Sequence, residues 1–171
     1  MSHFVAGRLG RRTIASVALA LALALSACAP AGPVESGPNE GEGTMPPLLA
    51  GLEITTVTIG SLELIVAVAD TPAARSRGLS GTAELGPLDG MLFVYEEPVD
   101  GGFFMRGVAI ALDIAFVDAE GRVLSVLTMP LCTADPCPTY APSSPYRWAI
   151  ETPAGGLGGV ATGDQIEIAS G

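Results

Sequence analysis

From residue 53 onward the chain consists mainly of apolar segments three to eight residues long, separated by residues that favour turns. Segments of this length between glycine, proline, aspartate and serine are typical of β-strands. Strand patterns do not alternate with long helical patterns, which argues against a doubly wound α/β sheet. The sequence therefore predicts a mainly β domain, a compact antiparallel barrel-like or sandwich structure with one or two short helices. The predicted strands are Glu53–Ile59, Leu62–Ala69, Met91–Tyr95, Phe103–Met105, Asp113–Val117, Val123–Met129, Trp148–Glu151 and Gln165–Ile168.

Two places carry the signal of a helix start, in which a capping side chain stands directly before a proline. Asp70-Thr71-Pro72 predicts a helix of barely two turns that ends near Gly78. Thr152-Pro153 repeats the signal before a glycine-rich stretch, which predicts a second, weak helix.

The first 28 residues have the composition of an export signal. Arg8, Arg11 and Arg12 form a positive region, and an apolar run over residues 13–25 follows. The run closes on Leu25-Ser26-Ala27-Cys28, which resembles the lipobox of bacterial lipoproteins. We therefore expect residues 1–27 to be a signal peptide and Cys28 to be acylated. The export signal predicts that the domain lies outside the cytoplasm. Because two acyl chains anchor a protein stably, we expect the domain to be tethered to the lipid bilayer.

The residues after Cys28 divide into a tether and one domain. Residues 28–47 are rich in proline, glycine and glutamate, a composition that cannot bury enough apolar surface to fold. We read them as a flexible spacer. Residues 48–171 are long enough for a single core and are predicted to form one globular domain.

Charge composition excludes several classes of function. The chain has 18 acidic residues and eight arginines but no lysine, and its one histidine is His3. Without residues 1–27, five arginines face 18 acids, a formal charge of −13. Such a surface repels phosphates, so nucleic acid is not an expected partner. Histidine-dependent triads, histidine-ligated metals, lysine Schiff bases and P-loops all lack their essential residue, and we predict no metal and no cofactor.

Several short motifs follow one another along the domain. They are Asp70-Thr71-Pro72 with Arg75, Gly78 and Leu79; Gly90-Met91-Leu92-Phe93-Val94; Phe104-Met105-Arg106; residues 112–118; Met129-Pro130; Tyr140; Ile150-Glu151; and Gly163-Asp164. Their order resembles domain-of-unknown-function family 192, a family of small bacterial and archaeal proteins. The resemblance spans about residues 52–168 and implies a compact, mostly antiparallel β fold with no settled activity. In place of the usual Trp-Met-Lys-Asn-Thr this chain has Phe104-Met105-Arg106-Gly107-Val108, which lacks the asparagine and threonine hydrogen-bonding groups.

Six residues of these motifs form the candidate site. They are Arg75, Arg106, Asp113 and Glu151, with Phe104 and Met105 as an apolar wall. Strand ends could bring the two acids to one rim, where guanidinium groups would bind a polar or anionic small molecule. The competing interpretation is structural, because a carboxylate beside an arginine is often a buried ion pair. In either case we expect Arg75 to pair with Asp113 or Glu151.

Two functional hypotheses follow. The favoured one is a non-enzymatic, membrane-anchored envelope protein whose domain binds a small ligand or another protein. The alternative is a hydrolase or lyase that acts on an envelope substrate with two carboxylates, as glycosidases do. It requires Asp113 and Glu151 to face one open cleft.

Cys132 and Cys137 remain once the lipid occupies Cys28. Export places them where disulfides persist, and Asp135-Pro136 favours a turn that brings them together. A metal site is the competing interpretation, but two thiolates without a histidine supply only half of the ligands of a tetrahedral site. The sequence therefore predicts a structural disulfide in a surface loop after the strand that ends at Met129.

Overall fold

The computed structural model describes residues 44–169, which form a curled seven-stranded sheet with one short helix. The mainly β prediction is confirmed. The sheet order is β5-β4-β6-β3-β2-β1-β7, and every neighbouring pair is antiparallel except β2 and β3. The elements are β1 (Ile54–Ile59), β2 (Leu62–Ala69), α1 (Pro72–Arg77), β3 (Gly90–Val99), β4 (Leu112–Val117), β5 (Val123–Met129), β6 (Tyr146–Pro153) and β7 (Ile166–Ile168).

Two predicted elements differ from the structure. Phe103–Met105 is no strand, since only Phe103 forms an isolated bridge, with Tyr140. The weak helix predicted at Thr152-Pro153 is also absent from residues 44–169: both residues belong to β6, and turns follow them. Thr152 pairs with Asp113 and Pro153 pairs with Leu112, so the ladder between β6 and β4 continues through both residues. This strand pairing outweighs the local capping signal for a helix.

Hydrogen bonds join the two ends of the sheet. The Ile166 amide donates to the Gly121 carbonyl at 2.9 Å, and the Val123 amide donates to the Asp164 carbonyl at 2.8 Å. They bring the start of β5 against the start of β7. The sheet therefore curls round one of its own faces.

That enclosed face holds the inner core, to which all seven strands contribute. Its members are Val57, Ile59, Leu64, Val66, Leu92, Ala115, Val117, Val123, Ile150 and Leu157, with Ile166 packed against them.

The opposite face carries the outer core, which is covered by α1 and by loops. Strand residues such as Met91, Phe93 and Ile114 form its floor. Leu49 and Leu85 are among the loop residues that close it. Side chains on β3, β4 and β6 therefore enter one core or the other according to their position in the alternation.

The helix follows its sequence signal. Thr71 caps it by accepting a hydrogen bond from the Ala74 amide at 3.2 Å, and Pro72 occupies its first turn. Gly78 ends it with φ of 49°, a conformation that glycine adopts without strain. At six residues, this helix is too short to cross a membrane, and no other helix occurs within residues 44–169.

The predicted disulfide is confirmed. Cys132 and Cys137 are bonded, with their Cα atoms 5.6 Å apart. The loop that they close follows β5. The two cysteines are half-buried, and the four residues between them are exposed. The disulfide therefore restrains a surface segment that has no regular secondary structure.

Candidate functional site

The register between β4 and β6 separates the two predicted site carboxylates. Asp113 lies opposite Thr152, and Glu151 lies opposite Ile114. Directly opposed residues of an antiparallel pair share a face, and successive residues alternate. Asp113 therefore belongs to the inner-core face and Glu151 to the outer-core face. The prediction that both acids converge on one rim is wrong.

Asp113 is fully engaged in structural hydrogen bonds. The Thr128 hydroxyl donates to its Oδ1 at 2.7 Å, and the Gly155 amide donates to its Oδ2 at 2.6 Å. The side chain is only 7% exposed. It thus ties β5 and the glycine-rich turns after β6 to β4, and both of its oxygens accept structural hydrogen bonds.

Arg75 pairs with neither acid, so the predicted ion pair is also wrong. One of its guanidinium nitrogens donates to the carbonyl oxygens of Asp70 and Val94. The group also stacks over the Tyr95 ring, 4.8 Å from its centroid. Glu151 lies opposite Met91, three residues before Val94 on an extended strand, or about 10 Å away along β3. Arg75 therefore fastens α1 to β3.

The motif Phe104-Met105-Arg106 divides between core and surface. Met105 is buried in the outer core, whereas Phe104 is 57% exposed. Arg106 forms an exposed ion pair with Asp135 of the disulfide loop at 2.9 Å, the one salt bridge within residues 44–169. The six predicted residues thus do not form a single cleft.

Glu151 is the exceptional member of the set. It is 5% exposed, and its register neighbours on the outer-core face are Met91 and Ile114. Burial away from water disfavours the charged form and raises the pKa of Glu151 from 4.5 to about 8. At neutral pH the side chain is therefore mostly a neutral acid that can donate an O–H.

Such a group lowers stability at neutral pH, because it must take up a proton to remain in the core. Strongly perturbed acids of this kind concentrate at functional sites. Glu151 also falls in the family motif Ile150-Glu151. Among the predicted site residues, Glu151 therefore remains a candidate, and its functional role stays a prediction.

The structure contains a cavity that sequence reasoning missed. It has a volume of about 540 Å³ and lies between an entry segment, residues 44–48, and a loop, residues 81–86. Its lining is mainly apolar on the side of the entry segment. The cavity adjoins the outer core, since Leu49 and Leu85, beside its two walls, are buried there with the floor residues of β3 and β4.

Backbone contacts fix both walls of the cavity. The Leu49 amide donates to the Pro46 carbonyl at 2.9 Å, which folds the entry segment into a turn. The Gly81 amide donates to the Gly107 carbonyl at 2.8 Å and holds the loop. A Cβ atom at Gly86 would lie 2.7 Å from the Thr44 carbonyl oxygen, so only glycine allows the two walls to meet there.

The sequence interpretation placed residues 44–47 in the tether and predicted no strand or helix over residues 80–89, so neither wall was identified. A usable signal was present, because Met45-Pro46-Pro47-Leu48 is an apolar run at the end of a polar spacer.

The predicted signal peptide, Cys28 and residues 29–43 of the predicted tether lie outside the described residues. Among those described, no group of three or more histidine, cysteine or acidic side chains is placed to hold a metal ion.

The raised pKa of Glu151 predicts a specific dependence of stability on pH. Between pH 4.5 and 8 the folded protein keeps the proton that the unfolded chain releases. The free energy of unfolding should therefore fall by about 1.4 kcal/mol for each pH unit in this window. Glu151→Gln, which cannot ionise, should remove this contribution and be more stable than the parent at pH 8, as measured by denaturant unfolding across the pH range.

Glu97→Gln, at an exposed position of β3, serves as the matched control and should follow the parent. Parallel pH curves for the parent and Glu151→Gln would contradict the buried neutral acid.

Comparison with known proteins relates this fold to others. A protein of unknown function from Novosphingobium aromaticivorans DSM 12444 has a TM-score of 0.63 and 28% identity, over 73% of this chain and 91% of its own. A protein from Sinorhizobium meliloti 1021, described as a candidate transcription regulator, has a TM-score of 0.60 and 25% identity, over 68% of this chain and 95% of its own. No curated protein matches the chain. The model of domain-of-unknown-function family 192 (DUF192), described as an uncharacterized ACR, matches residues 55–168. The chain therefore belongs to the DUF192 family.

Proposed function

We propose that the mature protein is a membrane-anchored, extracytoplasmic lipoprotein that binds a small molecule in the cavity between the entry segment and the 81–86 loop. The cavity carries this proposal. Its volume of about 540 Å³ falls within the range of about 300–1,000 Å³ typical of small-ligand sites. Its mainly apolar wall, interrupted by a few polar groups, also matches such sites.

The disulfide supports the extracytoplasmic part of the proposal. Reducing compartments keep cysteines in the thiol form, whereas Cys132 and Cys137 form a disulfide in a surface loop of the domain. The lipobox-like Leu25-Ser26-Ala27-Cys28 supplies the attachment point. Because the entry segment contains the last residues of the predicted tether, 44–47, the cavity would lie at the end of the domain where the tether joins it.

Two other functions are less well supported. A hydrolase with paired carboxylates needs both acids at one cleft, but Asp113 and Glu151 lie on opposite faces of the sheet. A role in transcription, suggested by the description of the Sinorhizobium protein, does not suit a mature chain with a formal charge of −13. We therefore favour binding without catalysis.

Filling the cavity tests the binding proposal. Small molecules that bind the folded protein raise its melting temperature, by an amount equivalent to about 2.7 kcal/mol at a hundred times Kd. Ala83, which lines the cavity, is exposed, so Ala83→Trp should fill the space without disturbing the core. We expect compounds selected by thermal shift to lose their effect on Ala83→Trp and to keep it on Ala73→Trp, a matched change on the exposed face of α1. Equal shifts in both variants would place the binding elsewhere.

Lipid attachment requires a separate test, because it is independent of the cavity. The intact mass of protein extracted from membranes should correspond to a chain that begins at Cys28 with acyl additions. Cys28→Ala should release the protein from the membrane fraction. An unmodified mature chain that begins at another residue would contradict the anchor while leaving the binding proposal intact.

A further inference from the structure

The charge of the cavity limits what it can bind. Within the part of the chain that the structure describes, residues 44–169, Glu84 is the only charged residue that lines it. Its side chain is exposed and forms no ion pair within residues 44–169. An exposed carboxylate that lines a cavity attracts cations and repels anions.

Within residues 44–169, no positive charge lines the cavity to offset Glu84. The arginines of these residues are Arg75, Arg77, Arg106, Arg122 and Arg147, and none of them is part of the lining. Ser80, directly before the loop, contacts two arginines only at their carbonyl oxygens: its amide donates to Arg77 at 3.1 Å and its Oγ donates to Arg106 at 3.4 Å. The Arg106 guanidinium group is held by Asp135. The cavity therefore lacks the guanidinium forks that recognise carboxylates and phosphates.

The rest of the lining favours an apolar body. One wall consists of Met45, Pro46, Pro47 and Leu48. The two prolines restrict the backbone of this wall in the absence of a ligand. Leu48 keeps 38% of its surface exposed and lies beside Gly81, where a Cβ atom would be 3.2 Å from Leu48 Cδ1. An aliphatic side chain thus remains available for contact at the opening of the cavity.

From these contacts and charges we infer that the ligand is an amphiphilic monocation, with an apolar body against the entry segment and an ammonium or guanidinium group beside Glu84. This inference rests on the proposed binding function and specifies the class of ligand. The net negative charge of the whole chain acts in the same direction, since it raises the local concentration of cations.

Three probes with the same alkyl chain separate charge from apolar contact: octyltrimethylammonium, octanol and octyl sulfate. Binding to the purified full-length mature protein would be measured by calorimetry at low salt, below the concentrations at which the probes form micelles. We expect the ammonium to bind most tightly and the sulfate most weakly. Glu84→Gln should weaken the ammonium by about two- to fivefold, the range of a partly exposed ion pair, and leave octanol unchanged.

Glu97→Gln provides the control for net charge, because it removes an exposed acid that does not line the cavity. It should leave the affinity of all three probes unchanged.

The outcomes separate this inference from the proposed function. If octanol binds as tightly as the ammonium, or if Glu84→Gln and Glu97→Gln have the same effect, the cationic class is wrong. Tightest binding of the sulfate, or no binding of any probe, would overturn it as well. In those cases the proposed function still stands if compounds from the thermal-shift selection depend on Ala83, and it falls with the inference if none does.

Discussion

Strand β6 forms hydrogen-bonded ladders with β3 on one side and with β4 on the other, and most of the molecule is arranged around it. Because successive side chains of a strand alternate between the two faces of the sheet, Ile150 packs inside the curled sheet while Ala149 and Glu151 face the outer layer. Gly90 allows the close approach of β3, since a Cβ atom there would overlap the Glu151 carbonyl oxygen. The position of Glu151 in the outer layer is therefore fixed by strand pairing rather than by a neighbouring charge.

The sequence predicted the strands well because short apolar runs between turn residues depend on local chemistry. The helix at Thr71-Pro72 and the disulfide were predictable for the same reason: a cap with its proline, and two cysteines across a turn, are signals within a few residues. The relation between Asp113 and Glu151 is different. Their faces depend on the register of two strands that are far apart in sequence, and a shift of one residue would place both acids on the same face.

The cavity was missed for a related reason. Its walls come from segments without regular structure, and they meet only because both are held against the outer core by Leu49 and Leu85. Neither wall has a pattern of its own that predicts this contact. Loops that cover a rigid sheet are a frequent location for binding sites, since the scaffold fixes their ends while their residues can vary. The inner core supplies that scaffold here, and the outer layer holds both Glu151 and the supports of the cavity.

The central claim is that the outer layer buries Glu151 so completely that it stays protonated at neutral pH. Carbon-13 labelling of the glutamate carboxyl groups, with Glu151→Gln to assign the resonance, would report its ionisation directly during an NMR titration of the folded protein. The structure predicts a midpoint near pH 8 for Glu151. A midpoint near 4.5, the ordinary value for a glutamate, would show that the carboxyl reaches water and would contradict the account of the outer layer.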